Sequence, residues 1–240
     1  MHYGAIGILT LVLMANANGF SEGTQTVDAM EGKSPDSTMQ KIKLSEPAYT
    51  GTVSVEAAIK QRRSERNYAS RSLTKEQLSQ MAWCAQGITD ADGHKRAAPS
   101  AGATYPLDLY VVVGAKTCGD VPAGVYRYLP EEHALMFLLA GDRRKPLAAA
   151  ALGQNFVAQA PLVMVLTANY PRTTGRYGKR GMRYVYMEVG HVGENVHLQA
   201  EALGLGSCMV GAFDDSRVAA VLNLPAEHEP LYIMPVGYPR

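Results

Sequence analysis

At 240 residues, with 47% apolar and 19% charged residues, the chain is long enough and apolar enough to bury a core of its own. Its formal net charge of +1 supplies no general basic field, which argues against nucleic-acid binding driven by phosphate neutralisation. The three cysteines, Cys84, Cys118 and Cys208, form no CxxC and join no Cys/His grouping of zinc-ligand spacing, so neither a disulfide framework nor a metal site is indicated.

The chain opens on an apolar run, 5–14, followed by Ala15-Asn16-Ala17, the small-x-small pattern of a signal-peptidase site. The run is too short to span a bilayer comfortably, so stable membrane insertion is not expected. Residues 1–17 read as a signal peptide and the protein as exported; a cytosolic protein starting near Met39 is the alternative. From 18 to 50 the composition turns to Ser, Thr, Gly, Glu and Lys without apolar periodicity, as in a linker, which places the folded domain at 51–240.

Within the domain, 54–63 reads as a short helix capped by Ser54, with Val55, Ala58 and Ile59 on one face. A second helix, 73–88, has Thr74 as cap, Gln77 in the first turn, and Leu78, Met81 and Ala85 at helical spacing before Gly87. Strand signals follow at 107–114, 124–129, 134–141, 161–169, 207–213 and 231–238. The longest helix is expected over 181–203, with Met182, Val185, Val189, Val192 and Val196 along one seam and Gly204 as its left-handed stop. Its length makes it central or interfacial.

Four short stretches bear on chemistry. "GLGSCMVG" (204–211) lacks the third glycine of a dinucleotide loop and follows a helix where such a loop follows a strand, so its small residues are better read as allowing close approach to something flat. "HVGENVH" (191–197) lacks the second Glu-x-x-His pair of a di-iron site, which leaves His191 and His197 as core or interface histidines. "PSAGATYP" (99–106) is a loop, or a place where Ser100, Ala101 and Gly102 let backbone lie against a planar ligand. "QRRSERNY" (61–68) crowds Arg62, Arg63 and Arg66 around Ser64. Cations at a helix C-terminus explain the first two. The continuation to Ser64 and Arg66 favours a phosphate-bearing ligand.

Taken in order, "IKLSEP", "RRSERNY", "PSAGATYPLDLYVV", "GQNFVAQAPLVMVLTA", the 176–213 segment and "PLYIMPVGYP" resemble the nitroreductase family of FMN-dependent oxidoreductases, specifically its SagB/ThcOx (azoline-oxidase-like) branch. The resemblance implies an α+β fold, a mostly antiparallel sheet flanked by helices, in an intertwined homodimer with FMN between subunits. It assigns Arg62, Ser64 and Arg66 to the flavin phosphate and ribityl chain and Arg63 to the polar edge of the ring. Pro99, Ser100, Ala101 and Gly102 would come from the other subunit, Gln154 would touch ribityl or ring, and Val210 and Gly211 would offer backbone N–H groups to the flavin. Arg240 is the one basic residue available near the C-terminus for a further phosphate contact. Azoline oxidases resemble this chain ahead of the long helix but carry Lys-Tyr where it has Arg176-Tyr177, and an arginine is a poor proton acceptor.

The implied activity is ping-pong reduction of an electron-poor small molecule, a nitroaromatic or quinone, at the expense of NAD(P)H. The alternatives are FMN-dependent oxidation of a peptide-derived or small heterocyclic substrate, and a flavin-binding protein without catalysis. No acid or base is nominated, because in flavin enzymes the cofactor carries the redox chemistry.

Overall fold

The computed structural model of the chain describes residues 41–240, so the expected leader and most of the expected linker lie outside the described residues. The capping residues act as their sequence signals imply. Helix α1 (Val55–Gln61) begins where Ser54 Oγ accepts the Ala57 N–H at 3.2 Å. Helix α2 (Lys75–Gln86) starts on a complete capping box, with Gln77 N–H donating to Thr74 Oγ1 at 3.2 Å and Thr74 N–H to Gln77 Oε1 at 3.0 Å.

Among the described residues the sheet has seven strands, β1 (Lys41–Lys43), β2 (Leu107–Val113), β3 (Gly124–Leu129), β4 (Ala134–Ala140), β5 (Leu162–Ala168), β6 (Gly206–Ser207) and β7 (Glu229–Gly237). Their order is β1-β4-β3-β2-β5-β7-β6, and every neighbouring pair is antiparallel. Short helices α3 (Arg144–Ala150), α4 (Asn155–Gln159) and α5 (Pro171–Tyr177) flank the sheet, together with the long α6 (Gly181–Ala202) and α7 (Asp215–Leu222). Gly204 stops α6 at φ +67°, as its position predicts.

Alternation along β2 divides the core. Leu107, Leu109, Val111 and Val113 pack with Leu78 and Met81 of α2 and with Val185, Val189, Val192 and Val196 of α6. Tyr110 and Val112 pack on the opposite face with Leu147 of α3 and with Val218 and Leu222 of α7. Because helices cover both faces, every residue of β2 and of β5 is buried, and both are apolar except for Asp108 and Thr167.

Three expectations are corrected. The fold starts before residue 51: Lys41–Lys43 pairs with Ala134–Met136 as an edge strand, and Leu44 behind it is buried. Lys-Ile-Lys is too short and too charged to show alternation, which is how edge strands are kept from pairing with other chains. The strand expected over 207–213 shrinks to the two residues of β6, because the next partner on β7 is Pro235, which has no N–H to continue the ladder. The apolar face of α1 is not covered: Ala58 is buried, but Val55 is 64% and Ile59 56% exposed.

One opening in the sheet matters later. The ladder between β2 and β3 runs only from Tyr110–Arg127 to Val113–Gly124. Beyond it β2 continues to Leu107 paired with β5, and β3 to Leu129 paired with β4, so the two strands part.

Candidate functional site

The arginine cluster sits where α1 ends and the chain crosses to the sheet. Ser64 forms an isolated parallel bridge with Ser207 of β6, and the Glu65 N–H donates to Ser207 O at 2.9 Å. That anchoring holds Arg62, Ser64 and Arg66 in one short extended segment. The acidic residue among them is turned to the backbone: Glu65 Oε1 accepts the N–H groups of Arg66 at 2.9 Å and Asn67 at 2.7 Å. No ion pair among the described residues involves Arg62, Arg63 or Arg66. The cluster therefore presents positive charge that no ion pair among the described residues neutralises.

Behind it lies His197 of α6, 7% exposed, whose Nδ1 is 2.8 Å from Ser207 Oγ. Burial, aided by the positive field of Arg62, pushes this imidazole down to about 4, so it is neutral at physiological pH. Arg66 extends toward α4, its guanidinium 6.0 Å from the centroid of the Phe156 ring. Arg63 departs from the role the resemblance implies. Its Nη1 donates to the carbonyls of Lys60, Gln61 and Arg62 at 2.9, 3.1 and 2.8 Å, so it satisfies the open end of α1.

Other expected residues gather around this segment. Gln154 Nε2 donates to Ala151 O and Ala212 O, both at 2.9 Å, tying the start of α4 to the loop that carries Gly211. Val210 is corrected as a free donor: its N–H is bonded to Ile233 O at 2.9 Å. Gly211 beside it is exposed, and its N–H enters no hydrogen bond among the described residues. The C-terminus runs along the same edge, with Pro239 bridged to Tyr68 and the Arg240 N–H donating to Asn67 O at 3.0 Å.

Pro99, Ser100, Ala101 and Gly102 are elsewhere. Ser100 Oγ accepts the Tyr105 N–H at 3.0 Å, and Gly102 adopts φ +59° beneath Arg176, which donates to its carbonyl at 3.0 Å. A Cβ on Gly102 would collide with the Tyr177 hydroxyl and the Arg176 guanidinium, so glycine is required there for space as well as conformation. The turn abuts Glu188, which is 3% exposed and whose Oε1 has no hydrogen-bond partner among the described residues. Burial pushes this carboxyl up to about 7, against the pull of the nearby Ser100 hydroxyl and the Arg96 charge. Glu188 and His197 are nine positions apart on α6, which at 1.5 Å per residue separates the two halves of the expected site by about 13 Å. One chain thus brings together Arg62, Ser64, Arg66, Gln154, Gly211 and Arg240, and holds the 99–102 turn away from them.

The sequence reading passed over Ser207, Phe156 and Glu188. Ser207 lay in view inside "GLGSCMVG", and Glu188 could have been noticed as the acid on the apolar seam of α6. Cys84, Cys118 and Cys208 are all buried, and burial raises each thiol, so none is poised as a nucleophile.

Comparison with known proteins gives this geometry its context. The Nitroreductase family profile matches residues 59–238. MJ1384 of Methanocaldococcus jannaschii, described as a nitroreductase, is 46% identical over 210 residues, which cover 88% of this chain and 97% of that protein. The trifolitoxin-processing protein TfxB of Rhizobium leguminosarum bv. trifolii is 32% identical over 134 residues, covering 54% of this chain but 36% of TfxB. A Ralstonia eutropha crystal structure, also described as a nitroreductase, superposes with a TM-score of 0.73 at 30% identity, covering 85% of this chain and 91% of that one. Profile, relatives and architecture agree: the chain belongs to the nitroreductase family and is an oxidoreductase.

Proposed function

We propose that this oxidoreductase is FMN-dependent and homodimeric, and that it uses NAD(P)H to reduce an electron-poor small molecule such as a nitroaromatic or quinone. The observation that carries the reading is the arginine cluster. Arg62 and Arg66, with the Ser64 hydroxyl between them, offer charge-assisted donors to a phosphate, and no carboxylate among the described residues pairs with them. Gln154, the Gly211 N–H and Arg240 border the same segment, so a ligand with a phosphate at one end and a polar planar group at the other suits the donor set. When bound, FMN supplies the two-electron chemistry; the residues of this chain bind it, orient it and set its electrostatic surroundings.

The separation of the 99–102 turn from the cluster supports a dimer, in which the turn of one chain completes the site of the other. The uncovered Val55 and Ile59 of α1 and Tyr186 and Met187 of α6 supply an apolar surface for that contact. Anaerobic titration of the FMN-loaded protein with NADH and NADPH tests the proposal. Bleaching of the flavin by either, followed by recovery on adding a quinone, is expected. A flavin that neither reductant bleaches would contradict it.

A second reading, oxidation of a peptide-derived heterocycle in the manner of the SagB/ThcOx branch, is favoured by one observation: the identity to TfxB, a protein described as processing trifolitoxin. Arg176 and Tyr177 lie against Gly102, where a proton-handling pair would be useful, but a guanidinium is a poor proton acceptor. Turnover with a thiazoline or oxazoline peptide and oxygen, in the absence of NAD(P)H, would select this reading over the first.

A further inference from the structure

The parting of β2 and β3 opens a cavity of 360 Å³ that none of the residues assigned to the flavin enters. Gln86 from the end of α2, Arg96 from the following loop, Arg127 from β3 and Arg172 from α5 line it. Gln86 is 1% exposed; its Oε1 accepts from Arg96 at 3.1 Å, and its Nε2 has no partner among the described residues. A buried, unpartnered amide donor is destabilising unless something accepts from it.

The arginines have donors to spare. Three guanidinium groups carry about fifteen N–H donors, which form five hydrogen bonds among the described residues: Arg96 to Gln86 and Glu131, Arg127 twice to Asp108, and Arg172 to Tyr105 O. Arg172 also lies 2.8 Å from Asp108 Oδ2, yet that oxygen has no aligned hydrogen bond. Against three cations the cavity sets two carboxylates, buried Asp108 and the 69%-exposed Glu131, so its lining is net positive. One wall is the Tyr105 ring, with the Arg96 guanidinium 4.4 Å from its centroid.

We propose that the cleft between β2 and β3 is a second ligand site, which binds a small organic carboxylate through Arg96, Arg172 and the Gln86 amide. The planar forks suit a carboxylate, the size suits a small molecule, and Leu107, Leu109 and Leu129 along the cavity offer apolar contact to its body. The site adjoins the 99–105 turn through Tyr105, and it does not depend on the identity of the flavin.

The test is calorimetric titration of the full chain, saturated with FMN, using benzoate and succinate as probes and inorganic phosphate for comparison. Saturable binding of at least one carboxylate, with a dissociation constant below about 10 mM, is expected. Gln86→Leu and Arg96→Ala should each weaken it at least about tenfold, the loss of one charge-assisted hydrogen bond. Glu131→Gln, at an exposed position that leaves the fold alone, should tighten binding severalfold by freeing Arg96. The proposal is overturned if neither carboxylate binds, if phosphate binds more tightly than both, or if Glu131→Gln leaves affinity unchanged.

Discussion

Three arginines within five residues divide their labour, and the division is testable. Arg62 and Arg66 have no carboxylate partner among the described residues, whereas Arg63 is engaged by the carbonyls that end α1. Replacing Arg62 and Arg66 together by Ala should weaken FMN binding by several kcal/mol, at about 1.5–3 kcal/mol per charge-assisted bond. Arg63→Ala should leave the FMN dissociation constant within about threefold; fluorescence titration of the three proteins checks both. The density of charge was legible in "QRRSERNY", but a guanidinium serving a helix end and one awaiting a ligand look alike in sequence. Two buried titratable groups on α6 should also act with opposite sign on stability. His197 is held below its usual range, so it contributes stability above about pH 6.5 that is lost as pH falls toward about 4. Glu188 is raised, so the folded state tolerates it best below about pH 4.5 and less as pH climbs through about 7. Glu188→Gln should therefore stabilise the protein at pH 8, by about 1–2 kcal/mol after allowance for solvent screening, and leave it little changed at pH 5. Denaturant unfolding at both pH values measures this.

Elements with strong local signals formed where the sequence placed them. Thr74 with Gln77 starts α2, Gly204 stops α6, and the β-branched runs at 107–113 and 162–168 are the central strands. What escaped reading depends on partners far along the chain. The three residues of β1 are a strand only because β4 accepts them, and β6 stops at two residues because Pro235 faces it from β7. The exposed face of α1 points the same way: Val55 and Ile59 have helical spacing and a capped start, yet nothing among the described residues covers them. If they meet a second copy, Ile59→Glu, alone or with Met187→Glu, should convert a dimer to a monomer. Sedimentation velocity at micromolar concentration reads the outcome, and an unchanged dimer would move the interface elsewhere.

The described residues form an antiparallel sheet covered on both faces, with one long helix running past both halves of the expected site. Among the described residues no helix is long and apolar enough to cross a membrane. The family was legible because separated motifs occur in the right order, and Arg62, Ser64 and Arg66 lie in one segment anchored to β6, with the Arg240 N–H bonded to Asn67 beside it. The cleft beside Asp108 was not legible: its arginines lie up to 76 positions apart, from 96 to 172, and only the parting of two strands brings them together. The central claim is that the unneutralised Arg62/Ser64/Arg66 segment exists to hold FMN. Its most direct test is the absorption spectrum of the purified protein after incubation with FMN and FAD in equal amounts and removal of free flavin, with the bound flavin released by acid and identified by mass. The account expects a yellow protein that releases FMN, and a colourless one when Arg62 and Arg66 are both alanine; release of FAD alone, or no bound flavin in the unaltered protein, would contradict it.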